Sequence, residues 1–198
     1  MSTGFLGDMK RHILRLIVCI SPLIGFLLIG SSLPVERPQG VKTFESHRYG
    51  YAVQYPEEWY LDATGDVDAF EIDSFPLSEA VRGVHIPLGG ASIYIVVPSQ
   101  VRIGGRAVSA TLDAWIQAET TRMKVTGKRT FSVDDKKPVV EIRSRCCAVP
   151  PFQDGVSWYF QVDGHLFRAT LLYYQGDPNA DKLLQVLKEI VLSLRLTQ

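Results

Sequence analysis

Residues 49–60, YGYAVQYPEEWY, set Tyr51, Val53 and Tyr55 in alternation with Ala52 and Gln54. A period of two with one apolar side predicts a half-buried strand. Pro56 lacks an N–H and stops the ladder, which leaves Trp59 to fold back over the sheet edge as a core plug. Gly50 marks the turn between this strand and a shorter one before it. Further on, AFEID (69–73) predicts a strand with Phe70 and Ile72 inward and Glu71 and Asp73 outward. ASIYIVV (91–97) is apolar on both faces, the pattern of a covered central strand.

The period then changes. Thr111 stands as an N-cap, and Leu112, Trp115, Ile116 and Met123 recur at helical spacing through LDAWIQAETTRMK. Four strands follow. The first is KRTFSV. In PVVEIRSRCC, Val140, Ile142, Ser144 and Cys146 fall on one face and Glu141, Arg143, Arg145 and Cys147 on the other. VSWYFQV and LFRATLLYY are joined by Asp163-Gly164, a strong hairpin signal. A two-residue loop there pairs Phe160 with Phe167, Trp158 with Ala169 and Val156 with Leu171. Its other face pairs Tyr159 with Arg168 and Ser157 with Thr170. A slip of one residue would scramble both faces, so the register is well specified. Asp177 and Pro178 open a closing helix whose apolar face is Leu183, Leu187, Ile190, Val191 and Leu194. Strands in runs, joined by hairpins rather than crossovers, predict an α+β fold: a largely antiparallel β-sheet flanked by helices.

The N-terminus is of another kind. Lys10, Arg11 and Arg15 precede LIVCISPLIGFLLIGSSL (16–33), which carries no charge. At ~1.5 Å per residue it makes roughly 27 Å of helix against a ~30 Å hydrocarbon core. Residues 1–33 therefore read as a signal peptide, with Gly30 and Ser32 as the small residues before a cut, or as an uncleaved membrane anchor. Met9 is an alternative start that leaves a good basic n-region. Both readings export residues 34–198, to the periplasm or exterior, free or anchored through 16–33. Residues 34–42, rich in proline and glycine, read as a linker, and 43–198 as the domain.

Removing residues 1–32 leaves 18 Lys+Arg against 20 Asp+Glu. That balance gives no bulk attraction for nucleic acid. The charge is uneven, however. Residues 57–81 hold eight acids and no Lys or Arg, while 102–145 hold ten basic residues against five acids.

YGYAVQYPEEW resembles the opening signature of PsbP-like (Mog/PsbP-type) domains. TLDAWIQAE and the closing LQVLKEIVLSLRL sit where that fold has its two long helices. The resemblance covers about residues 43–196 under the usual uncertainty of element ends. It implies an α/β/α sandwich of the bacterial extracytoplasmic branch and binding without catalysis, since the family includes a photosystem II extrinsic subunit and a small-GTPase-binding protein.

Candidate chemistry is sparse. Cys146 and Cys147 are adjacent and point to opposite faces of a strand; a small core residue and a near-surface thiol are preferred to a redox pair. His85, in the irregular RGVHIPLGG, is a candidate contact residue. Asp62, Asp66 and Asp68 lack the spacing of a calcium loop and read as a solvated acidic face open to a partner. His12, His47, His85 and His165 are scattered, and no nucleophile elbow, P-loop or dinucleotide fingerprint occurs. The expectation is a non-catalytic extracytoplasmic binding or accessory protein, with a protein partner, no nucleic acid, no cofactor and no metal. An enzyme of unrecognised type, or a redox protein using Cys146 and Cys147, is the alternative.

Overall fold

A computed structural model describes residues 40–62, 66–76, 86–100, 102–103, 106–107, 111–134, 137–146 and 153–197. The apolar run 16–33 lies outside the described residues. Among the described residues, no helix is long and apolar enough to cross a membrane.

The first hairpin, β1 (Val41–Ser46) and β2 (Tyr51–Pro56), pairs Phe44 with Val53 and Ser46 with Tyr51. A two-residue strand β3 (Tyr60–Leu61) then leads to β4 (Phe70–Asp73) and β5 (Ala91–Val96). A short pair, β6 (Arg102–Ile103) and β7 (Arg106–Ala107), precedes helix α1 (Leu112–Thr120). The meander β8 (Lys124–Ser132), β9 (Pro138–Cys146), β10 (Gln153–Val162) and β11 (His165–Tyr174) follows. The chain closes with α2 (Ala180–Ser193) and β12 (Arg195–Leu196).

Seven strands form one sheet in the order β3-β4-β5-β11-β10-β9-β8, and three form another in the order β1-β2-β12. All the strand pairings are antiparallel. The β10–β11 register is the one read from the sequence, with Phe160 opposite Phe167, Trp158 opposite Ala169 and Tyr159 opposite Arg168. Asp163 (φ 46°) and Gly164 (φ 84°) both take the left-handed conformation that a tight type I′ turn demands.

One face of the seven-stranded sheet carries the main core. Tyr51, Val53, Tyr55 and Trp59 from the β2 region pack there with Phe70, Ile72, Ile93, Ile95 and Phe167, under Leu187, Ile190 and Val191 of α2. The opposite face holds a second, smaller core, in which Trp115 and Ile116 of α1 meet Ile142, Tyr159 and Leu166. Helix, sheet and helix thus stack with the small sheet beside α2, the α+β architecture expected.

Four local readings are corrected. Helix α1 ends at Thr120, three residues before Met123. The hydroxyls of Thr120 and Thr121 donate back to the carbonyls of Ile116 and Gln117, each at 2.7 Å, an alternative to continuing the helix. Helix α2 starts at Ala180. Asp177 instead holds the preceding turn, its Oδ1 accepting from the Asn179 N–H at 2.7 Å. Asp73 is buried, where its carboxylate accepts from the Ser92 hydroxyl. Strand β12, two residues long, is too short to show a period; it pairs with Ala52 and Tyr51.

Candidate functional site

The face beneath α1 gathers polar side chains as well as its small core. Helix α1 is capped by Thr111, whose Oγ1 accepts from the Ala114 N–H at 3.4 Å. The same helical face that buries Trp115 and Ile116 carries Glu119, one turn on and 7% exposed. Three donors saturate its carboxylate. Trp115 Nε1 donates to Oε1 at 2.9 Å, and Tyr159 Oη and Arg168 Nη1 each donate to Oε2 at 2.5 Å. Arg168 also lies over the Tyr94 ring, 5.6 Å from its centroid. Burial, reinforced by the Glu119 carboxylate, pushes the Tyr159 phenol well above its ordinary range. It therefore stays protonated and donating. Burial also raises the Tyr94 phenol, against the opposing pull of Arg168 and of a hydrogen bond with Thr170.

Because α1 stops at Thr120, the sheet beyond it is open. A cavity of about 270 Å³ lies there between the turn 121–123 and strands β5, β11, β10 and β9. Its lining contains Tyr94, Ser144, Ser157, Thr170, Arg122, Lys124 and Arg145. A second cavity of about 180 Å³ shares Ser144, Arg145 and Gly155 with it and adds Arg143, Asp154 and Tyr173.

On the opposite face a second buried acid, Glu141 (1% exposed), accepts two bonds from Arg129 at 2.8 and 2.9 Å, one from Arg143 at 2.7 Å and one from Trp158 Nε1 at 3.0 Å. Burial pushes its pKa up, but these donors outweigh it and hold the carboxyl below its usual range.

The sequence-predicted residues are dispersed. Asp66 accepts from the Tyr49 hydroxyl at 2.8 Å, the Asp68 N–H at 3.1 Å and Arg48 Nη1 at 3.4 Å; the Tyr49 bond, then the Asp68 bond, lowers its pKa. It is thus part of a loop brace that includes the Asp68 backbone. Asp62 follows β3, and its N–H donates to the Glu71 carbonyl at 2.8 Å. Among the described residues, no three His, Cys, Asp or Glu side chains converge to hold a metal ion. His85, Cys147 and the side chain of Cys146 lie outside the described residues. Glu119 and Glu141 were not singled out from the sequence. The available signal was an acid at a core-facing helical position, four residues after Trp115.

No protein-family model matches the chain, and no curated protein sequence does. Solved structures do. The Ran-binding protein Mog1p of Saccharomyces cerevisiae is 11% identical over 81% of this chain and 97% of its own, with a TM-score of 0.49; a point mutant of Mog1 gives 0.50 at the same identity and coverage. The fold is of the Mog/PsbP type. Cyanobacterial PsbP from Synechocystis is 12% identical over 85% of this chain and 98% of its own, with a TM-score of 0.42. A protein of Bacteroides thetaiotaomicron is 12% identical over 82% of this chain with a TM-score of 0.49, and the chain spans 50% of that protein's length. At these identities the likeness is one of fold.

Proposed function

We propose that this Mog/PsbP-type domain is a non-catalytic binding protein that works outside the cytoplasm on a protein partner. One observation carries the reading: its charge is polarised between the two edges of the seven-stranded sheet. At the β3–β4 edge stand Asp62, Glu71 and Asp73. Burial first, then repulsion from Asp62, raises the pKa of Glu71, and Asp73 is raised in the same way against its bond from Ser92. At the β8–β9 edge stand Lys124, Lys128, Arg129, Arg143 and Arg145, with Glu141 as the buried counter-charge. Opposite potentials at opposite edges orient an approaching protein and speed its encounter. Mog1p, described as Ran-binding, uses the same fold in a protein that binds another protein. Catalysis is disfavoured because Glu119 and Glu141 are saturated by donors, which leaves neither placed as a general base.

The test is affinity capture with the tagged full-length chain from native membranes, beside Lys124→Glu/Lys128→Glu and Glu71→Lys variants. A protein retained by the wild type and lost from either charge reversal, more so at raised salt, is the expected result. Equal capture by all three would sink the polarity argument. Export through residues 16–33 is tested separately by fusing, at Gln198, a reporter active only outside the cytoplasm; activity confined to the cytoplasm would end that part.

A further inference from the structure

We propose that the cavity past the end of α1 is a binding site for a phosphate-bearing small ligand. Three cations, Arg122, Lys124 and Arg145, line this space of about 270 Å³, and its lining contains no carboxylate. The acid nearest along the chain, Asp154 beside Gly155, lines the adjoining cavity and stands opposite Arg145 across the β9–β10 pair. Glu119, before Arg122, is already committed to Arg168, Tyr159 and Trp115. Positive charge gathered in a concave, partly dry site raises the local concentration of anions.

The floor supplies neutral donors. Ser157 and Thr170, each 3% exposed, join hydroxyl to hydroxyl at 3.0 Å, and Thr170 is also bonded to the Tyr94 hydroxyl. Those two bonds use two of the three hydroxyl protons. Ser144 adds a further hydroxyl to the lining. Gly155 keeps the floor low, because a Cβ there would come within 3.1 Å of Ser144 Oγ and 3.3 Å of Leu172 Cδ2.

Donor number selects the ligand class. A carboxylate offers two oxygens, whereas a phosphate monoester offers three strong acceptors and close to two negative charges at neutral pH. Three cations with several hydroxyls fit the second better. Arg122 and Lys124, on the turn into β8, line the wall, and Ser157 and Thr170 line the floor. The space holds about nine waters' volume, more than one phosphate group fills. Leu172 and Met123 in the lining give the esterified group apolar contact. At about 270 Å³ the cavity lies just below the usual range of ligand sites, a size suited to a small ester.

The site shares Lys124 and Arg145 with the basic sheet edge. Lys128 and Arg129 belong to the basic edge but do not line the cavity.

The experiment is calorimetric titration of the full-length chain with glycerol 3-phosphate, at low salt. Saturable binding is expected, weakened about ten-fold or more by Arg122→Ala/Lys124→Ala, in line with the loss of charge-assisted bonds. Lys128→Ala should leave it within about two-fold, the expectation for a charge outside the site. Gly155→Val is the second probe: it fills the floor while every cation remains, and should also abolish binding in a chain shown by circular dichroism to be folded. Competition between glycerol 3-phosphate and a water-soluble short-chain phosphatidic acid distinguishes a free ester from a lipid headgroup, and either winner supports phosphate recognition. No binding to the wild type, equal weakening by Lys128→Ala, indifference to the Arg122/Lys124 double variant, or citrate binding as tightly as the ester would each overturn the proposal.

Discussion

The Phe70 N–H donates to the hydroxyl oxygen of Tyr51 at 3.2 Å, from the seven-stranded sheet to the three-stranded one. Both residues are fully buried, and the rings of Tyr51 and Phe167 meet edge to face at 5.7 Å. The hydroxyl therefore satisfies a backbone donor that water does not reach. Replacing Tyr51 by Phe keeps the ring and removes the acceptor. The expected cost is about 1–3 kcal/mol, the penalty of a buried unpaired donor. Urea unfolding measures it, and a change within a few tenths of a kcal/mol would mean that another acceptor takes the Phe70 N–H.

Trp59 tests the stop-and-plug reading of the first hairpin. It is 7% exposed and part of the main core, whereas Gln54 on the same hairpin is exposed. Trp59→Ala should cost roughly 3–5 kcal/mol through lost contacts and a cavity. Gln54→Ala should stay within about 0.5 kcal/mol, because the Gln54 contact with Ser193 Oγ at 2.8 Å is made by its backbone N–H. Equal urea midpoints for the two variants would place Trp59 outside the core.

What the sequence made legible was whatever a local signal determines. The left-handed pair Asp163-Gly164 locked the β10–β11 register residue by residue, and strict alternation placed Tyr51, Val53 and Tyr55 inward. Period two says which residues share a face, however, and not what covers that face. Alternation pairs Tyr159 with Arg168 on the second face of that hairpin; α1 covers them there, and their partner Glu119 lies 40 and 49 residues away. Glu141 was hidden for the same reason, since Trp158 reaches it from 17 residues away. The cavity beyond α1 depended on where the helix stops. The helical spacing ran on to Met123, and two threonine hydroxyls decided otherwise.

The Glu119–Arg168 pair should behave as a buried ion pair. Their side chains are 6% and 11% exposed. Glu119→Gln removes the charge and leaves a guanidinium uncompensated, which should cost about 3–5 kcal/mol. Arg168→Met alone should also destabilise, while the double variant should recover part of the loss. A double-mutant cycle in urea, followed by tryptophan fluorescence, gives the coupling directly. Additive single effects would show that the 2.5 Å contact contributes no net coupling.

Acid should act on this protein through opposing groups. Burial alone would raise Glu141, but the bonds from Arg129, Arg143 and Trp158 hold it below its ordinary 4.5. A carboxyl whose folded pKa is depressed contributes stability that is present above the unfolded value and is lost as pH falls through the folded one. Glu71 has the reverse sign. Burial, then the charges of Asp62 and Asp73, raises it above 4.5. Its ionisation therefore penalises the fold above its folded pKa, and the penalty vanishes below the unfolded value. Thermal unfolding between about pH 3 and pH 8 separates the two. Glu141→Gln should lower the midpoint at neutral pH, because a neutral amide cannot match the carboxylate between two arginines, and should flatten the fall below pH 4.5. Glu71→Gln should raise the midpoint at neutral pH, by a small amount because Glu71 is exposed in part, and the gain should disappear on acidification. Parallel curves for wild type and both variants would show that neither carboxyl couples folding to protons.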